Sequence, residues 1–140
     1  MNKINLARVI LGGLVAGVVL NIGEFLLNEV VLGAQMREFL VRFGLPEPGN
    51  RFVVVAVLLT FILGIVIVWM YAAMRPRLGP GPKTAICAGL LAWFGIYLYS
   101  GVINGMVLKV PTNMVLIALV WGAVQYAVGA IAGAWLYREA

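Results

Sequence analysis

Residues 4–32 read INLARVILGGLVAGVVLNIGEFLLNEVVL. A helix needs about 20 predominantly apolar residues, at about 1.5 Å rise each, to cross the hydrocarbon of a bilayer, and this run exceeds that length. Its second half carries Asn21, Glu24, Asn28 and Glu29. Carboxylates are costly inside a membrane, so an acid at this depth asks for a partner or a purpose. Three more runs of spanning length follow, at 52–74, 84–108 and 114–137. The four predict an all-α protein, a four-helix transmembrane bundle forming one domain over the whole chain. A separate soluble domain, which usually needs more than about 50 residues, does not fit in what remains.

Composition agrees. Of 140 residues, 64% are hydrophobic and 11% charged, against about 45–50% and about 25% in soluble domains. The one cysteine, Cys87, allows no intrachain disulfide and no cysteine-based metal site, and in its apolar run it reads as a small buried hydrophobe. There is no histidine, which removes the commonest general base, metal ligand and pH sensor. With no nucleophile–base pair in view, we expect no enzyme, no cofactor and no metal. The net charge of +5 comes from basic residues at the ends of the apolar runs, where Lys and Arg meet headgroups. The expected partner is therefore the lipid bilayer and not nucleic acid.

Four spans place both termini and the middle loop on one side. That side collects Lys3, Arg8, Arg75, Arg77, Lys83 and Arg138, and the other Arg37, Arg42, Arg51 and Lys109. Six against four, with three of the six in the short acid-free loop 75–83, predicts cytoplasmic termini. The first run is too long for a signal-peptide core, so we expect it to be retained. Pro76, Pro80 and Pro82 are expected to stop the second helix and delay the third, with Gly79 and Gly81 making the reversal. In the first external loop, Met36, Phe39, Leu40 and Phe43 recur at helical spacing beside Arg37, Glu38 and Arg42. A short amphipathic helix over about 34–44, lying at the interface, is predicted. Trp69 and Tyr71, and Trp135 and Tyr137, are placed to form an aromatic belt.

Lipid is as apolar as leucine, so close backbone approach and hydrogen bonds must hold the helices together. Gly13 and Gly17 continue through Asn21, Glu24 and Asn28 on one helix face. Gly64 lies on a small-residue stripe of the second span, and Gly122, Gly129 and Gly133 on stripes of the fourth. Such stripes serve a tight bundle or contacts between subunits. A faint ungapped repeat aligns Gly13–Ala16 with Gly89–Ala92 and Asn28 with Asn104, in a two-plus-two layout.

Counting rise along each span brings Asn21, Glu24, Asn28, Thr60, Tyr97, Ser100, Asn104 and Gln125 to compatible depths, as a polar pocket opening on the side away from the termini. Glu29 points about 100° away from Asn28 and is expected to reach for the interface. Three readings of Glu24 stand open: hydrogen-bonded structural glue, a mate for a basic residue of a partner subunit, or a proton or cation site.

Asn5, Arg8 and Gly12-Gly13, followed by Asn21 and Glu24, together with the loop Arg75-Pro76-Arg77-Leu78-Gly79-Pro80-Gly81-Pro82-Lys83-Thr84, resemble small uncharacterised bacterial four-span inner-membrane proteins. The resemblance implies that architecture and a bacterial inner-membrane location, and carries no catalytic residue. The first functional expectation is a non-enzymatic accessory or scaffold subunit of a homo-oligomer or larger membrane complex. The alternative is a small proton- or cation-coupled transporter or channel built on Glu24.

Overall fold

The computed structural model describes residues 3–138. Four helices are long and apolar enough to cross a membrane: α1 (Leu6–Val31), α3 (Asn50–Leu78), α4 (Pro82–Val107) and α5 (Thr112–Leu136). The short α2 (Gly33–Arg42) follows α1 directly. The chain is an all-α integral membrane protein.

The local chemistry explains the boundaries. Asn5 caps α1, its Oδ1 accepting the Arg8 N–H at 3.2 Å. α3 runs through Pro76 and ends at Leu78, two residues beyond the proline expected to stop it. A proline this near a C-terminus removes a single backbone bond, and the stop comes from Gly79 at φ 85° and ψ 161°, an extended positive-φ conformation open to glycine. Pro82 likewise begins α4 as its first residue, where its missing N–H costs nothing.

α1 packs most extensively on α3, then on α5; α5 also packs on α4. The contacts are backbone-close because glycines permit them. A Cβ added at Gly64 would lie 2.4 Å from the Gly13 carbonyl oxygen, and one at Gly12 would lie 2.4 Å from that of Gly133. Gly17 accommodates Phe61, and Gly129 accommodates Leu20. The small-residue stripes are thus consumed inside one bundle. Val9, Leu20, Ile67 and Val68 are fully buried between them. Gly13 lets α1 approach Ile65, and Gly89 lets α4 approach Tyr126 and Ala130, as the two-plus-two layout requires. Spans two and four also share Val57-Leu58…Gly64 and Val115-Leu116…Gly122, but there the likeness stops, since Gly64 faces α1 backbone while Gly122 faces the Tyr97 ring.

The end carrying the termini is also clamped by side chains. Tyr71 and Tyr137 are buried and meet edge-to-face at 6.0 Å. The Tyr137 hydroxyl accepts the Asn5 N–H at 3.3 Å, and the Tyr71 hydroxyl accepts the Gly81 N–H at 3.2 Å. Arg75 stacks over Tyr137, and Thr84 donates to the Gly79 carbonyl at 2.7 Å. These tyrosines therefore do not belong to the aromatic belt; their hydroxyls find backbone partners indoors. Trp69 and Trp135 do face outward. Cys87, expected to be buried, is exposed on the outer surface of α4, because the neighbouring Ala85, Ala88 and Gly89 take the inward positions.

The other end is different. Phe52, Val53, Val54 and Val55 are each 49–60% exposed. Four successive helix positions cover every direction around the axis, so nothing packs around α3 there. α2 packs instead against the end of α1, with the Phe39 and Phe43 rings 4.8 Å apart under the Arg42 guanidinium. Its Met36 packs on the small cluster of Leu27, Leu32 and Met114.

Candidate functional site

The site starts from one carboxylate. Glu24 Oε1 accepts hydrogen bonds from the Tyr97 hydroxyl and from Gln125 Nε2, the latter at 3.0 Å. Its Oε2 accepts from Asn28 Nδ2 at 3.1 Å, and the same amide nitrogen donates to the Glu24 backbone carbonyl at 2.9 Å. Three helices therefore converge on a single acid. Every partner side chain is uncharged, and all three contacts come from donors. These donors satisfy the carboxyl oxygens without a basic side chain.

Each partner is held in turn. Gln125 is buried, and its Oε1 accepts the Trp121 indole N–H at 3.0 Å, which fixes the amide's orientation. The same indole N–H reaches the Gly23 carbonyl at 3.0 Å. Tyr97 meets the buried Tyr126 edge-to-face at 5.3 Å. Trp93 donates to the Leu119 carbonyl at 2.9 Å, tying α4 to α5 one turn away from Tyr97. Two glycines make the room: a Cβ on Gly122 would lie 2.6 Å from the Tyr97 ring, and one on Gly23 would lie 2.4 Å from Gln125 Oε1.

The backbone is irregular here. α1 changes from α-helical to π-helical at Leu26–Val31, immediately after Glu24, and α4 does so at Phe94–Tyr99, around Tyr97. π-Helical turns are rare and concentrate at functional sites.

Between α1, α4 and α5 lies a partly open cavity of about 380 Å³. Glu24, Asn28, Tyr97 and Asn104 supply its polar lining, and residues such as Leu27, Met36, Ile96, Leu108 and Met114 the apolar remainder. Glu24 is the one charged residue of that lining. The volume falls in the range of about 300–1,000 Å³ usual for small-molecule sites.

Of the polar residues expected to converge, Glu24, Asn28, Tyr97 and Gln125 form one hydrogen-bonded network. Asn104 lines the same cavity and donates to Ser100 at 3.3 Å on its own helix. Asn21 and Thr60 lie outside it. Asn21 donates back to the Gly17 carbonyl at 2.9 Å and Thr60 to the Ala56 carbonyl at 2.7 Å, the local alternative open to short polar side chains in helices. Glu29 is exposed. Trp121, Tyr126 and Gly23 were missed. Trp121 had a signal, since it precedes Gln125 by one helical turn and a membrane-buried indole N–H seeks an acceptor.

No protein-family model, no curated protein and no solved structure matches the chain.

Proposed function

We propose that this protein is a small proton- or cation-coupled transporter, with Glu24 as its coupling group. The observation that carries the reading is the position of Glu24, lining an open cavity while neutral donors from three helices hold it. Structural glue alone would not require a cavity at the acid. A basic mate from another subunit would have to pass through the cavity to reach the open position on Oε2. The sequence feature that favoured a scaffold was the set of glycine stripes, and the contacts within one bundle account for them.

In this reading a cation enters from the side of α2 and the α4–α5 turn and meets Glu24 Oε2, which has one donor where Oε1 has two. The glycine-packed end beyond Leu20 closes the path until the helices move. Lys3, Arg8 and the basic loop 75–83 favour that closed end lying in the cytoplasm, in a bacterial inner membrane. No catalytic role enters it.

The test is flux into liposomes reconstituted with the pure protein under an imposed pH gradient. Wild-type protein should conduct protons or exchange them for a cation, and Glu24→Gln should abolish this while leaving the detergent-solubilised assembly unchanged. Wild-type liposomes as tight as empty ones would end the transporter reading in favour of the accessory subunit.

A further inference from the structure

The donors and acceptors around the cavity point to a particular class of ligand. Glu24 Oε1 is filled by Tyr97 and Gln125, while Oε2 has one donor, Asn28. A carboxylate oxygen accepts two hydrogen bonds, so one position on Oε2 is open. Asn28 spends Nδ2 on the Glu24 carbonyl and on Oε2, which fixes its amide and leaves Oδ1 as an acceptor with no donor from the described residues. That oxygen is open to the cavity, since it is not among the enclosed side-chain polar atoms left without a hydrogen bond in the described residues. Asn104 adds a further amide to the same lining. The available polar positions at the acid are thus acceptors, and the sole lining charge is negative. Beyond them the walls are apolar.

A ligand that fits must carry N–H donors and a positive charge at one end and an apolar body at the other. A bare Ca²⁺ or Mg²⁺ ion fits poorly, because these take about six or more oxygen ligands, and among the described residues no three His, Cys, Asp or Glu side chains come together. We infer that the cavity binds a protonated primary amine with an alkyl or aryl body, its ammonium at Glu24 Oε2 and Asn28 Oδ1 and its body along Leu27, Ile96, Leu108 and Met114. This rests on the reading of Glu24 as the cation site and names the substrate class.

The test uses the full chain in phosphatidylcholine nanodiscs, with calorimetric titration of phenethylamine and of its neutral match phenethyl alcohol, after subtraction of empty discs. Saturable amine binding is expected, with the alcohol at least about tenfold weaker, since a buried ionic hydrogen bond is lost. Glu24→Gln should weaken the amine at least about tenfold and leave the alcohol nearly unchanged. Ala118→Leu, which intrudes on the apolar lining without touching the acid, should weaken both. If Glu24→Gln does not fold, the wild-type amine-to-alcohol ratio and Ala118→Leu decide. Absence of saturable amine binding, equal binding of the two ligands, or amine binding indifferent to Glu24→Gln would each overturn the inference. Glu24-dependent proton flux without amine binding removes the amine and keeps the coupling role, whereas amine binding without flux does the reverse.

Discussion

The two ends of this bundle are built on different principles. At the end with the termini, helices meet backbone to backbone: Gly12 lies against Gly133, Gly13 against Gly64, and the Tyr71–Tyr137 pair locks both termini and the middle loop. At the other end α3 stands unsupported around its axis from Phe52 to Val55, α1 and α4 turn π-helical, and a cavity separates them. In lipid, apolar side chains gain little by touching one another, so tightness follows the small residues. Where these give out, the helices part. The acid sits at that transition, where neighbours can solvate it and a cavity reaches it. A closely packed half thus presents a carboxyl group to an open half.

Substitutions that attack one half should expose the contrast. The largest effect is expected of Gly64→Leu, which drives a branched side chain into the α1 backbone and should cost about 3 kcal/mol or more. It should appear as loss of the monodisperse peak and of the thermal transition in detergent. Gly101→Leu, on the open half where an added Cβ meets nothing within 4 Å, should leave both intact. A smaller loss, about 1–2 kcal/mol, is expected of Gly122→Ala, whose methyl would displace the Tyr97 ring. Its distinguishing mark is functional: Glu24-dependent flux should fall far more than the melting temperature. The smallest effect has the opposite sign. Lys109 holds φ 54° in the α4–α5 turn at the cavity's edge, a conformation that costs a residue with a Cβ about 1 kcal/mol. Lys109→Gly should therefore stabilise the protein by up to about 1 kcal/mol, read as a higher melting temperature with flux retained.

Much of the fold was legible because hydropathy and span length are strong signals in a bilayer. The four spans were placed within a few residues, and the interfacial helix within two. Depth was also legible: rise per residue alone brought Glu24, Tyr97 and Gln125 to one level. Direction was harder. Asn21 shares the stripe of Gly13 and Gly17, yet its amide turns back to its own helix, a choice that spacing does not encode. Thr60 repeats this on α3. The π-helical turns leave no simple mark in sequence, and they shift the second halves of α1 and α4 relative to a regular count. Cys87 was misplaced because Ala85, Ala88 and Gly89 take the close-contact positions, as the rule for membrane helices favours for the smallest residues.

For Glu24 to act as a coupling group, the cavity it lines in one half of the bundle must admit water while the closely packed half excludes it. Thiol labelling tests it directly, using Ala118→Cys at the cavity and Ala130→Cys in the packed core, each in a Cys87→Ser background. A small water-soluble maleimide should label Ala118→Cys rapidly in reconstituted vesicles, from the side of α2 only, and should leave Ala130→Cys, at 1% exposure, unlabelled until the protein is denatured. Equal labelling of the two positions, or protection of Ala118→Cys as complete as that of Ala130→Cys, would contradict it.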